Sequence, residues 1–128
     1  MRDPKEMQQL HQLLSQADVI VENFRPGTMN KMGLGWETLH QRHPHLISAH
    51  VSGFGQTGGP GGNKPAMDVI IQAMSGIMEV TGFDDKPPSG AGTIIADVTS
   101  GLFGAIGVVR IDCKIYSLIR ILILIVQL

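Results

Sequence analysis

Apolar side chains along the first half of the chain recur at spacings that alternate between those of a helix and those of a strand. Residues 5–16 carry apolar side chains at helical spacing, behind Asp3 as a predicted N-cap and Pro4 at the first helical position. Residues 19–21 (VIV) and 46–51 (LISAHV) are short apolar runs of the strand type. Two strands separated by helical segments favour parallel pairing through right-handed crossover helices, and therefore an α/β fold.

The remaining segments extend this pattern. Short helices are predicted from Thr28 and over residues 36–41, between the two strands. Residues 67–80 are apolar on nearly every face, which predicts a buried helix. Glycine and proline cluster in residues 53–65 and 82–92, which predicts two loops. Loops of this length inside a compact domain are often functional.

Composition and charge narrow the classes of function. With 128 residues, a net charge of −1 and a pI near 6.5, the chain is one small domain without a basic footprint for nucleic acid or an anionic membrane. Its single cysteine, Cys113, cannot form an internal disulfide, and a polar stretch opens the chain instead of a secretory signal. We therefore expect a cytoplasmic protein. The apolar tail, residues 115–128, is shorter than the about 20 residues of a membrane span, so no membrane partner is expected.

Asp97 is the most unusual charged residue, because it stands in the apolar segment TIIADVTSGLFGAIG. A partly buried carboxylate in such surroundings requires hydrogen-bond donors. One interpretation is an N-cap for a helix over residues 98–109. The other is a nucleophile, since a carboxylate held ionised at a helix start can attack an electrophile. The two interpretations are compatible.

A second candidate site follows the first predicted strand, where the chain reads NFRPG. Ligands bind at the carboxyl ends of parallel strands, and Arg25 and Lys31 could hold phosphate there. The alternative is a simple turn with a solvated arginine. The glycine-rich loop after residue 52 has neither a phosphate-loop nor a dinucleotide fingerprint. The five histidines are scattered, and we interpret them as structural or solvated, with no metal site.

Four segments occur in an order and at separations that resemble one known family. They are ADVIVENFRPGTMNKMGLGWETL, HPHLISAHVSGFGQTGG, PAMDVIIQAMSGIMEVTG and IIADVTSGLFGAIGVV. Together they resemble the family III CoA-transferases, a group that includes formyl-CoA, carnitine and bile-acid CoA-transferases. The resemblance covers residues 1–109 and implies a fragment of the family's Rossmann-like large domain, truncated at both ends. Residues 110–128 form a divergent apolar tail that a deletion or a frameshift would explain.

The resemblance implies a reaction and a set of site residues. Asp97 would be the nucleophile, attacking an acyl-CoA thioester and passing through an aspartyl-CoA intermediate to a carboxylic acid acceptor. Coenzyme A and acyl-CoA would be substrates, with no permanently bound cofactor and no metal. The family's CoA-binding positions carry over to Asn23, Phe24, Arg25, Lys31, Met67, Asp68 and Arg2.

Two departures from the family pattern limit what this chain can do. Met67 stands where the family has an aromatic residue, or a histidine in its racemase branch. Racemisation needs two acid–base groups, so an acyl-CoA racemase fragment is disfavoured.

Because both ends are missing, we expect little activity from the chain alone. A third hypothesis is a non-catalytic remnant that only binds a full-length relative, since the family forms interlocked homodimers.

Overall fold

The computed structural model describes residues 3–56, 62, 64–112 and 121–123. The elements in chain order are α1 (Pro4–Leu14), β1 (Val19–Glu22), α2 (Thr28–Lys31), α3 (Trp36–Arg42), β2 (Ile47–His50), α4 (Asp68–Met74), α5 (Ile95–Asp112) and β3 (Ile121–Ile123). The three strands form one sheet in the order β2-β1-β3, and both pairings are parallel. The predicted α/β fold with parallel strands is confirmed.

The start of α1 follows from two adjacent residues. The Asp3 carboxylate accepts a hydrogen bond from the backbone N–H of Lys5 at 3.0 Å, and Pro4 occupies the first turn. This is the N-cap arrangement that the sequence predicts. Proline suits the first turn, because the N–H group that it lacks would have no partner within the helix there. α1 therefore begins at the predicted residue and delivers a fully buried Leu14 to the core.

β1 is the central strand of the sheet and contributes buried side chains to both of its faces. Val19 pairs with Ile47 of β2, and the register runs on to Glu22 opposite His50. Ile20 packs with apolar side chains of α1, α2 and α3, which form one core cluster. Val19 is also fully buried but faces the other side of the sheet, because neighbouring strand residues point in opposite directions. The carboxyl ends of β1 and β2 lie side by side.

The prediction of a buried helix over residues 67–80 is wrong in length and in burial. α4 ends at Met74, and Gly76 follows with a φ of 81°. The apolar side chains of Val69, Ile70 and Met74 are 45–64 % exposed, whereas the polar Asp68 and Gln72 are buried. Packing rather than hydropathy determines which residues of this helix are buried. The polar pair finds hydrogen-bond partners in and just before the start of α5, while the apolar side chains of Val69, Ile70 and Met74 remain about half exposed or more.

The second half of the chain contains α5 and a strand from the apolar tail. α5 lies against β2 and α4, and begins at residue 95, earlier than predicted. Of the predicted tail, residues 121–123 pair with β1 as β3, while residues 113–120 and 124–128 lie outside the described residues. No helix in the described part of the chain is long and apolar enough to cross a membrane.

Candidate active site

A cleft of about 740 Å³ opens beside the carboxyl ends of β1 and β2. Its volume falls within the range of about 300–1,000 Å³ that is usual for small-molecule sites. The strand ends, the loop after β2, and the first turns of α4 and α5 form its walls. The lining side chains include Glu22, Asn23, Val51, Ser52, Met67, Asp68, Ile71, Asp97 and Ser100. The topology therefore gathers polar groups from four separate segments.

Glu22 forms the polar end of β1 and is only 3 % exposed. One carboxylate oxygen lies 2.6 Å from Nδ1 of His50 on the neighbouring strand. The other accepts the backbone N–H of Phe24 at 2.7 Å. Both oxygens of this buried carboxylate are thus satisfied, as burial of a charge requires. The contact to Phe24 fixes how the chain leaves the sheet.

The predicted CoA-binding residues that follow β1 differ in exposure and in location. Asn23 is exposed and lines the cleft. The half-buried Phe24 packs against the core cluster, so its ring anchors the turn. Arg25 lines a neighbouring hollow of about 210 Å³ that also contains His50. Lys31 ends α2 on the exposed surface.

Asp97 lies in the first turn of α5 and lines the cleft. The N-cap prediction is wrong, because the helix begins at Ile95, three residues before the predicted start at residue 98. The carboxylate is also exposed, not partly buried as expected. The reason for both differences is that a carboxylate from another element caps α5: Asp68 Oδ1 accepts the backbone N–H groups of Ala96 at 2.7 Å and Asp97 at 3.0 Å. The side chain of Asp97 is therefore not needed as a cap and is accessible from the cleft.

Met67 and Asp68 are adjacent in sequence but differ in environment. Met67 is 71 % exposed at the cleft wall, whereas Asp68 is 9 % exposed. Burial by itself would raise the pKa of Asp68. Hydrogen bonds from the Asp97 N–H, the Gln72 side chain and the Ala96 N–H outweigh burial and lower that pKa. Asp68 is thus a stable anion at neutral pH.

Sequence reasoning missed two residues that shape this region, Glu22 and Gln72. Gln72 is 5 % exposed and donates hydrogen bonds to the Asp68 carboxylate and to the backbone carbonyl of Thr93, the latter at 2.9 Å. Its Oε1 accepts the N–H of Ala91 at 2.9 Å. The available signal was spacing, since a glutamine four residues after an aspartate in an otherwise apolar helix shares its face.

Arg2, two serines and the histidines complete the description of this region. Arg2 lies outside the described residues. Ser52 and Ser100 line the cleft, and the Ser52 hydroxyl is buried without a hydrogen-bond partner in the described structure. Within the described ranges, no group of three or more histidine, cysteine, aspartate or glutamate side chains is arranged to hold a metal ion.

The chain resembles proteins of one family in sequence. The sequence model of CoA-transferase family III matches residues 1–111. Succinyl-CoA--D-citramalate CoA-transferase of Chloroflexus aurantiacus is 45% identical over 107 residues, which cover 84% of this chain and 26% of that protein. Acetyl-CoA:oxalate CoA-transferase of Acetobacter aceti is 49% identical over 98 residues, covering 76% of this chain and 25% of that protein.

Solved structures agree with the sequence comparison. A CAIB/BAIF family protein from Brucella suis superimposes with a TM-score of 0.81 at 32% sequence identity, covering 96% of this chain and 32% of that one. The chain spans about a quarter of the length of the two CoA-transferases above. With the match over residues 1–111, the parallel sheet and the shared fold all in agreement, the chain belongs to CoA-transferase family III.

Proposed function

We propose that this chain carries the nucleophile and part of the coenzyme A surface of an enzyme that transfers CoA between an acyl-CoA and a carboxylic acid. The observation that carries the proposal is the exposed carboxylate of Asp97, at the start of α5 on a cleft beside the strand ends. Ligands of open parallel sheets bind at this edge. Relatives named for CoA transfer from succinyl-CoA and acetyl-CoA support the class of reaction.

In the proposed reaction Asp97 attacks the thioester carbonyl of the acyl-CoA. The carbon–sulfur bond breaks, CoA leaves as a thiolate, and a mixed anhydride between Asp97 and the acyl group forms. The thiolate then attacks the aspartyl carbonyl of the anhydride, which releases the first acid and leaves an aspartyl-CoA thioester. The acceptor carboxylate repeats both steps in reverse, which yields the new acyl-CoA and restores Asp97. Covalent catalysis of this kind divides one difficult transfer into easier steps.

The coenzyme A moiety would lie along the turn after β1. Arg25 and Lys31 are exposed cations, suited to the phosphates of CoA. Asn23 belongs to this turn and lines the cleft, where it would contact the pantetheine arm together with Met67 and Asp68, which line the same cleft. Arg2 completes the proposed set of basic residues.

The proposal extends to the setting of the reaction. Because a carboxylate supplies the covalent chemistry, the reaction requires no metal and no permanently bound cofactor. Residues 1–109 would be the functional unit and residues 110–128 a divergent tail. We further propose a cytoplasmic location and little turnover by the chain alone. Association with a second family chain, as in an interlocked dimer, would supply the missing part of the site.

The test is mass spectrometry of the purified chain after incubation with succinyl-CoA or acetyl-CoA in the presence of hydroxylamine. Hydroxylamine captures an aspartyl anhydride or thioester as a stable hydroxamate. We expect one modified residue, Asp97, and no modification in Asp97→Asn. Asp84→Asn, which replaces an exposed carboxylate of a loop, is the matched control and should retain the modification.

Other results would favour the alternatives. A folded sample without any hydroxamate at Asp97 would contradict the proposed role and favour a non-catalytic remnant that binds a full-length relative. Exchange of the hydrogen next to the thioester carbonyl for deuterium would favour a racemase fragment. That alternative is disfavoured because the thioether of Met67 cannot act as an acid or a base.

A further inference from the structure

The helix that carries Asp97 has no cap of its own. Ile94, the residue before α5, has an apolar side chain that cannot accept a hydrogen bond. The N–H of Ile95 donates to the Thr93 carbonyl at 3.0 Å, so the N–H groups of Ala96 and Asp97 are the ones that need a partner from elsewhere. Asp68 supplies it through Oδ1, which accepts two successive N–H groups, those of Ala96 and Asp97. An anion at this position also interacts favourably with the helix dipole. The start of α5 therefore depends on a side chain 28 to 29 residues earlier in the chain.

A second buried side chain holds Asp68 in place. Gln72 donates to the other carboxylate oxygen of Asp68 and, at 2.9 Å, to the carbonyl of Thr93. Its own oxygen accepts the N–H of Ala91 at 2.9 Å. Both N–H donors and the carbonyl of the amide are thus engaged at once. One glutamine consequently ties α4 to the two ends of the short segment that precedes α5.

The face of α4 that carries this polar pair is buried, whereas its apolar residues are largely exposed. Asp68 and Gln72 are 9 % and 5 % exposed, while the apolar Val69 and Ile70 are 50 % and 45 % exposed. Buried polar groups in a satisfied network order their surroundings more strongly than isolated ones. Gln72 does not line the 740 Å³ cleft, so its effect on that site passes through Asp68 and the start of α5.

Resting on the proposed role of Asp97 as nucleophile, we propose that Gln72 is a positioning residue, which through Asp68 sets the first turn of α5 and directs the Asp97 carboxylate toward the thioester. Asp97 stands in that first turn, so fraying of the helix start displaces the nucleophile itself. Misplacement of a reacting group by about 1 Å can slow a reaction roughly 100-fold. The pair thus governs reactivity without a requirement that Gln72 contact substrate.

The test compares Gln72→Glu with Gln72→Met in the full chain, with the rate of hydroxamate formation at Asp97 as the readout. A protonated carboxyl at position 72 can still donate to Asp68 and accept from Ala91, whereas an ionised one repels Asp68. We expect Gln72→Glu to be roughly 10- to 100-fold slower than wild type at pH 8 and to recover, relative to wild type, as the pH falls. Gln72→Met should be slow at every pH. Gln41→Glu, an exposed glutamine on α3, should match wild type throughout.

A second readout separates positioning from loss of folding and from failure of the proposed function. In hydrogen exchange followed by NMR, Gln72→Met should lose protection at the amides of Ala96 and Asp97 while Leu14 in α1 keeps it. If wild type forms no hydroxamate, the nucleophile proposal fails and these amides alone decide whether the pair holds the helix start. Wild-type rates and protection in Gln72→Met, or a pH-independent rate deficit in Gln72→Glu, would overturn the positioning role.

Discussion

Glu22 shows how a single buried carboxylate organises the edge of a parallel sheet. It ends β1, and its two oxygens bind His50 on the next strand and the backbone of Phe24 in the following turn. Glu22 lines both the cleft and the neighbouring hollow that Arg25 lines, so it lies between the two. The turn proposed to contact CoA therefore depends on a residue that need not touch the ligand.

Removal of this carboxylate should destabilise the fold. Glu22→Leu leaves the Phe24 N–H and His50 Nδ1 without their partner, and each unsatisfied buried donor costs about 1–3 kcal/mol. We expect a lower midpoint in urea unfolding at neutral pH. Glu79→Leu, at an exposed position, is the control and should change the free energy of unfolding by less than about 0.5 kcal/mol. Equal midpoints for the two variants would contradict this account of Glu22.

At the scale of elements, side-chain hydrogen bonds join α1 to the end of α3. Arg42 Nη1 lies 3.0 Å from Nε2 of His11, and His11 Nδ1 lies 3.1 Å from Nε2 of His43. Since arginine can only donate, Nε2 of His11 accepts and its Nδ1 carries the proton given to His43. Neutral histidines fit this arrangement, and a protonated His11 does not.

This contact predicts a stability that depends on pH. Burial, followed by Arg42, lowers the pKa of His11 below its ordinary value of 6.5. Burial, followed by the neighbouring His11, His45 and Arg42, does the same for the pKa of His43. The unfolded chain then binds more protons than the folded chain, so stability is present above about pH 6.5 and is lost as the pH falls below it.

Urea unfolding from pH 7.5 to pH 5 measures the effect. We expect wild type to lose more stability over this range than a His11→Gln/His43→Gln double variant. His40→Gln on α3, where the ring is exposed and stacks on Trp36, serves as the control and should follow the wild-type curve. Parallel curves for wild type and the double variant would refute the histidine contribution.

The loop after β2 approaches α4 so closely that only glycine fits at position 53. A Cβ atom there would lie 2.3 Å from the Cβ of Ala66 and 3.0 Å from the side chain of Ile71. Gly53→Ala should therefore force these two walls of the cleft apart and destabilise the chain by about 1–3 kcal/mol, measured by thermal unfolding. Gly53→Ala/Ala66→Gly should regain part of that loss, because it removes the closest contact. Gly101→Ala, at a helical position with open space, is the control.

At the scale of the whole molecule, the two sides of the fold differ in how far their apolar side chains are buried. α1, α2 and α3 enclose a core with fully buried side chains such as Leu14 and Leu39. On α5, by contrast, Leu102, Phe103 and Ile106 are 59–72 % exposed. Contiguous apolar surface of this kind marks a surface that another chain or segment covers. The chain spans about a quarter of the length of the two CoA-transferases to which it is similar.

This surface predicts association of the isolated chain. We expect sedimentation equilibrium to show a mean mass that rises with concentration, because association removes apolar surface from water. Phe103→Lys/Ile106→Lys should shift the chain toward monomer without loss of helical content. Leu13→Lys, at an exposed apolar residue of α1, should leave association unchanged. A monomeric wild type over the same concentrations would contradict the prediction.

The sequence by itself determined the elements that short-range interactions specify. The Asp3 cap, Pro4 and the apolar period define α1, and the runs VIV and LISAHV define two strands whose parallel pairing follows from the helices between them. The tertiary structure alone decided the role of Asp68. Its carboxylate caps a helix 28 to 29 residues away, which moves the start of α5 and leaves Asp97 exposed to the cleft. The tertiary structure also decided that α4 buries its polar residues. The spacing of Asp68 and Gln72 places them on one face of the helix, but whether that face is buried depends on which groups the fold brings opposite it.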